Sequence, residues 1–207
     1  VTGCDGVNRT VDRLLALLVA RGAVRIEEAD TYRYGLSLLL SFIMNTLTIL
    51  LLGFVTGYIK TVGFILLFYI PLQSFGGGYH ANTHLRCYII TLGVITLSVI
   101  VVHTLPPVWL LAVSIPGCII LFLLAPVEHA NAPFNAQFAA RMRKIVRSLT
   151  VLFLAASLVT KRSCPLIASC LSVSLAMSAV SLAAALLAKR CAKRKGGNEN
   201  GILPADG

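Results

Sequence analysis

The chain has 207 residues, 57% of them hydrophobic and only 13% charged, with a formal charge of +10. A water-soluble domain carries about 25% charged residues, and a mean hydropathy of +0.85 would oblige such a domain to hide several apolar runs with almost no polar face. The composition excludes an ordinary soluble domain and makes the bilayer the expected solvent.

The amino terminus, Val1 to Val7, has neither the basic lead nor the small-residue cleavage site of a secretory signal, so export is not expected. Residues 8–20 read as a short helix with Val11, Leu14, Leu15 and Leu18 on one side and Arg9 and Asp12 elsewhere. Too short to span, such a helix lies in the membrane interface or covers the bundle. Six apolar candidate spans follow, at about 36–54, 59–75, 88–105, 108–127, 146–160 and 164–188. Lys60 stands at the edge of the second and snorkels, and the fifth is near the lower length limit, so four to six true transmembrane helices are expected. Pro106 and Pro107 make an uncharged turn between the third and fourth spans. The longest polar insertion, 128–147, joins the fourth to the fifth.

The fold class is therefore all-α, a polytopic membrane protein with an N-terminal amphipathic helix. Its expected divisions are an interfacial segment over 1–35, a helical membrane domain over 36–188 and a basic tail over 189–207, disordered beyond about Lys195. Fifteen of the 18 Lys and Arg fall on the side shared by the N-terminus, the loops at 76–87 and 128–147 and the C-terminal tail; Lys60, Lys161 and Arg162 fall on the other. This asymmetry puts both termini and the 76–87 loop in the cytoplasm, in a cell membrane. The basic residues flank membrane segments without interleaved exposed aromatics, so anionic lipid, and no nucleic acid, is the expected partner of this charge.

Of the six cysteines, Cys118, Cys164 and Cys170 sit in or beside apolar runs and read as packing residues. No pair has a Cys-x-x-Cys or secreted disulfide spacing. Cys87 alone has titratable company, in Gly76-Gly77-Gly78-Tyr79-His80-Ala81-Asn82-Thr83-His84-Leu85-Arg86-Cys87. A cysteine nucleophile needs its thiolate, which a neighbouring histidine or a helix N-terminus stabilises. Thr83 is a suitable N-cap, so a helix starting at His84 would hold Cys87 in its first turn, beside Arg86. Which histidine is the partner is open on spacing. On one straight helix His80 and Cys87 are about 10 Å apart along the axis, beyond hydrogen-bond reach, whereas His84 is three residues from Cys87. His80 reaches Cys87 only where 76–83 are non-helical and fold back, as the glycines allow. The same residues admit another reading, since His80, His84 and Cys87 at i, i+4 and i+7 would line one helical face as a metal site, or gate a small-solute transporter. That set lacks a recognised fourth ligand, and a transporter would need more intramembrane polar groups than the chain has. No metal and no cofactor is expected.

In these motifs the sequence resembles the AgrB family, membrane cysteine endopeptidases that process pheromone precursors in quorum sensing. The resemblance lies in Gly77-Gly78-Tyr79-His80-Ala81, in Thr83-His84-Leu85-Arg86-Cys87, and in Ala125-Pro126-Val127 followed by Asn131, Pro133 and a basic cluster. Hydropathy and motif order agree over roughly 8–190. The resemblance implies that His80 and Cys87 are the catalytic pair, which spacing alone left open, and that His84 is a loop or capping residue. It implies an AgrD-like precursor peptide as partner, cut to release its C-terminal segment and closed to a thiolactone or lactone, and a homodimer. Gly77 and Gly78 would offer backbone N–H groups to an oxyanion. Glu128, the one acid between Asp30 and Glu199, would orient a histidine or meet a basic substrate group. Arg141, Arg143 and Lys144 would meet the precursor's acidic part or anchor the fifth span to lipid. Gln73 departs from the family, which often has a basic residue there.

Overall fold

The computed structural model describes the backbone of residues 2–77, 84–126 and 136–199. Among them are seven α-helices: α1 (Thr2–Ala20), α2 (Ala29–Val55), α3 (Ile59–Gly76), α4 (His84–Thr104), α5 (Pro107–Leu124), α6 (Ala136–Ser163) and α7 (Pro165–Glu199). A 3-10 turn, Ile26–Glu28, leads into α2. Five helices, α2 with its preceding turn, α3, α4, α5 and α7 up to Arg190, are long and apolar enough to cross a membrane. The polytopic all-α expectation is met. α7 is described as far as Glu199.

The chain forms two compact units, one of residues 1–62 and 81–97 and the other of 63–80 and 98–207. In the first, α1 packs on α2. Val11 is buried, and the Asp12 carboxylate accepts from Arg33 Nε at 2.9 Å and from Arg33 Nη2 at 3.3 Å. Half of each side chain is exposed, so this bridge selects the helix pairing more than it stabilises it. The turn from α2 to α3 uses Gly57 at φ +78°, a left-handed conformation that L side chains rarely adopt. Below it the helices approach closely: a Cβ on Gly53 would stand 2.8 Å from Val62 Cγ2.

The second unit is organised around α7, the most buried span. Its core joins Leu72 of α3, Cys118 and Leu121 of α5, Val146 of α6, and Leu175, Ala179 and Leu182 of α7. Buried serines line α7 among the apolar residues. Small side chains let helices approach where lipid is as apolar as leucine, and their hydroxyls bond across the interface. Ser172 Oγ pairs with Ser157 Oγ of α6 at 2.8 Å, Ser174 Oγ donates to the Ile65 carbonyl of α3 at 3.4 Å, and Ser98 Oγ of α4 donates to Met177 Sδ at 2.7 Å.

The expected fifth span, 146–160, lies inside α6, which is not among the five apolar helices. Lys161, Arg162 and Arg147 dilute its hydropathy. It nevertheless runs antiparallel along α7: Val146 meets the core at the level of Leu182, and Ser157 meets Ser172. Between those levels α6 and α7 each rise about 15 Å at 1.5 Å per residue, so packing, more than composition, places α6 beside the spanning helices.

Of the expected packing cysteines, Cys118 and Cys170 are buried, but Cys164 is exposed. It lies at the break between α6 and α7, where Pro165 starts a new helix and no neighbouring element covers the thiol.

Candidate active site

α3 ends at Gly76, and Gly77 follows at φ +71°. A glycine in the left-handed region just past a helix end reverses the chain there at little steric cost. α4 is described from His84 on, and Cys87 lies in the first described turn of that helix. Cys87 is a free, half-buried thiol. Its carbonyl accepts from Thr91 Oγ1 at 2.8 Å, one turn on. Leu85 and Arg86 beside it are exposed.

Gly78, His80 and Thr83 lie outside the described residues, as do Val127, Glu128, Asn131 and Pro133; of His84 the backbone alone is described. Gly77 and Cys87 are therefore the site residues whose surroundings can be given on this stretch. Gln73, at the position where the resemblance expects a basic residue, is built into the second unit. Its Nε2 donates to Ser181 Oγ of α7 at 2.9 Å, and its Oε1 and the Ser178 hydroxyl are buried without a hydrogen-bond partner.

The basic cluster is on α6. Arg141, Arg143 and Lys144 are exposed and Arg147 is half-buried. Arg143, Lys144 and Arg147 border a groove of about 720 Å³, floored by Val151, Leu152 and Ala155 and closed on one side by Phe122 of α5; Arg141 is not among its walls. Sequence reasoning treated these cations as one cluster and missed what distinguishes Arg147. The carbonyl of Phe122 would accept from the N–H four residues on, but that residue is Pro126, which has none. Arg147 Nε donates to this carbonyl at 3.0 Å instead, and its guanidinium lies 4.7 Å from the centre of the Phe122 ring. The signal was present in the sequence as Phe-x-x-x-Pro at a helix end, which frees one acceptor.

Comparison with known proteins agrees with this architecture. Residues 12–182 match the sequence profile of accessory gene regulator B. AgrB-like protein 1 of Clostridium perfringens (strain 13 / Type A) is 27% identical over 133 residues, which cover 62% of this chain and 71% of the relative. No solved structure matches the chain. With most of its length inside one family profile and a helical membrane fold to go with it, the chain is a member of the AgrB family and takes its part in the accessory gene regulator system.

Proposed function

We propose that this protein is a membrane-embedded cysteine endopeptidase that cuts a small AgrD-like precursor and closes the product into a ring. The observation that supports the reading is membership of the AgrB family, together with Cys87, the one cysteine with histidine neighbours in sequence, as a half-buried free thiol on α4.

In this mechanism Cys87 attacks a peptide carbonyl of the precursor. Backbone N–H groups at Gly77, Gly78 or the start of α4 hold the oxyanion, and His80, having taken the thiol proton, returns it to the leaving amine. The peptide bond is exchanged for a thioester and the C-terminal segment departs. A thiol or hydroxyl of the precursor, held beside the acyl-enzyme, then displaces Cys87 and forms the thiolactone or lactone. It outcompetes water because intramolecular attack reaches effective molarities of roughly 10⁵ M or more. Among the exposed cations we assign Arg141 to the acidic part of the precursor, since it stands apart from the apolar groove. The test is mass analysis of reconstituted protein mixed with labelled precursor: a transient acyl adduct on Cys87 is expected, and cleavage with no adduct on any cysteine would reject the covalent route.

The orientation belongs to the same proposal. With α6 counted as a crossing, the 15 to 3 split of Lys and Arg supports a cytoplasmic position for Cys87 and for the α6 basic cluster. Single cysteines introduced near Gly77 and at Arg143 are expected to react with a membrane-impermeant maleimide only in inverted vesicles. Labelling of either site in intact cells would reverse the orientation.

A further inference from the structure

The groove on α6 joins a cationic end to an apolar strip. Its lining residues, from Ala140 through Arg143, Lys144 and Arg147 to Val151, Leu152 and Ala155, recur at the three- and four-residue spacing of one helix face. Arg147 to Ala155 spans about 12 Å at 1.5 Å per residue, and one leaflet of hydrocarbon is about 15 Å deep. Cations therefore stand at one end and apolar side chains extend through most of one leaflet's depth. Arg147 is held in place by the Phe122 carbonyl and ring, which commits its Nε while the residue lines the groove. Arg143 and Lys144 are exposed beside it.

Two classes of occupant match a cationic mouth, an acidic peptide and an anionic lipid, and the strip discriminates between them. A peptide laid along Val151, Leu152 and Ala155 would carry its own amide groups into hydrocarbon, where each unsatisfied one costs several kcal/mol. An acyl chain has none to satisfy. Ser148 is the sole polar residue of the strip, and no row of donors and acceptors is present there to pair a peptide backbone.

We infer that this groove is a binding site for an anionic diacyl phospholipid, its phosphate met by Arg143, Lys144 and Arg147 and one acyl chain lying on Val151, Leu152 and Ala155. The site goes beyond the peptidase reading and does not depend on it. Lipid here fills the open side of the α5–α6 contact, so the ligand supports the helix that hydropathy alone does not commit to the membrane.

The experiment is native mass spectrometry of the full chain purified in detergent, titrated with dioleoyl phosphatidylglycerol or dioleoyl phosphatidylcholine. Phosphatidylglycerol is expected to be retained and phosphatidylcholine, with the same chains, largely lost. The double variant Arg143→Gln/Lys144→Gln keeps the Arg147 tie intact; at about 1 kcal/mol per cation it is expected to bind phosphatidylglycerol about 30-fold more weakly. Ala155→Trp, which fills the exposed floor and leaves the charges alone, is expected to weaken retention as well, and it serves if the double variant fails to fold. Equal retention of the two lipids, or unchanged binding by Ala155→Trp or a folded double variant, would overturn the site. So would displacement of phosphatidylglycerol by millimolar inorganic phosphate, which would reduce it to an anion site, or by an acidic decapeptide, which would make it a peptide groove. Cys87→Ala protein is expected to bind as the parent does, so failure of the peptidase proposal leaves this result standing.

Discussion

Cys87→Ser is expected to lower precursor cleavage by roughly a thousandfold or more while leaving the protein inserted, because a hydroxyl stays protonated where a thiol ionises. His80→Ala should cost about 10²–10⁴-fold, the usual contribution of a positioned general base. His84→Ala discriminates between the two histidines. If His84 serves only as a loop or capping residue, its replacement by alanine, a better helix former, leaves turnover within about threefold. The assay follows labelled precursor by mass in proteoliposomes, with the amount of inserted protein as denominator. Full cleavage by Cys87→Ser would end the thiol mechanism. Loss in His84→Ala with normal turnover in His80→Ala would transfer the base role to the residue that shares α4's first turn with Cys87.

A comparably large effect on stability is expected at Gly117, where α5 crosses α7. A Cβ there would lie 3.3 Å from Ala176 Cα, 3.3 Å from Ala179 Cβ and 3.5 Å from the Leu175 carbonyl oxygen. Two of these three atoms are backbone, which cannot rotate aside, so the helices must separate to admit a larger side chain. Gly117→Leu should therefore cost about 3 kcal/mol, at the upper end of the usual overpacking range. The loss falls on the contact that buries Cys118, Leu121 and Leu175. Gly93→Ala is the matched control: nothing lies within 4 Å of its added Cβ, and replacing a helix-interior glycine should gain up to about 1 kcal/mol. Thermal melting in detergent, read by exposure of buried Cys170 to a thiol dye, gives both signs in one series. A Gly117→Leu protein that melts with the parent would show that α5 and α7 do not approach this closely.

The spans were legible because a membrane helix announces itself through an uninterrupted apolar run. α3, α4, α5 and α7 contain or closely follow the runs at 59–75, 88–105, 108–127 and 164–188. The expected helix cap at Thr83 lies outside the described residues; what is described of α4 from His84 on agrees with the helix read there. α6 was only half legible. Its apolar stretch of 146–160 was recognised as a weak span, but what seats it is the pairing of Ser157 with Ser172 and the burial of Val146 in the core that also holds Leu121 and Leu182. These are contacts with residues far along the chain, which no local pattern encodes. The role of Gln73 was hidden likewise, because its partner Ser181 lies 108 residues away. Cys164 misled for the opposite reason: an apolar run follows it in sequence, but it stands at a break between two helices and is exposed.

The marginal composition of α6 has a consequence for how the protein is made. A segment bearing Arg147 near one end and Lys161 and Arg162 at the other partitions poorly on its own, since each such cation near a helix centre adds about 2.5–3.5 kcal/mol to insertion and less toward the ends. Its Ser157 bonds to Ser172 and to the Ala168 carbonyl of α7, which leaves the ribosome later. During synthesis α6 is thus expected to wait at the membrane surface until α7 emerges, and the two enter as a hairpin closed at Cys164. A chain truncated at Ser163 and released from the ribosome should leave α6 accessible to protease from the side of synthesis, and the full chain should protect it. Protection already at Ser163 would show that the helix needs no companion. Biogenesis in this family would then turn on order of arrival, with the last long helix acting as the chaperone of the one before it.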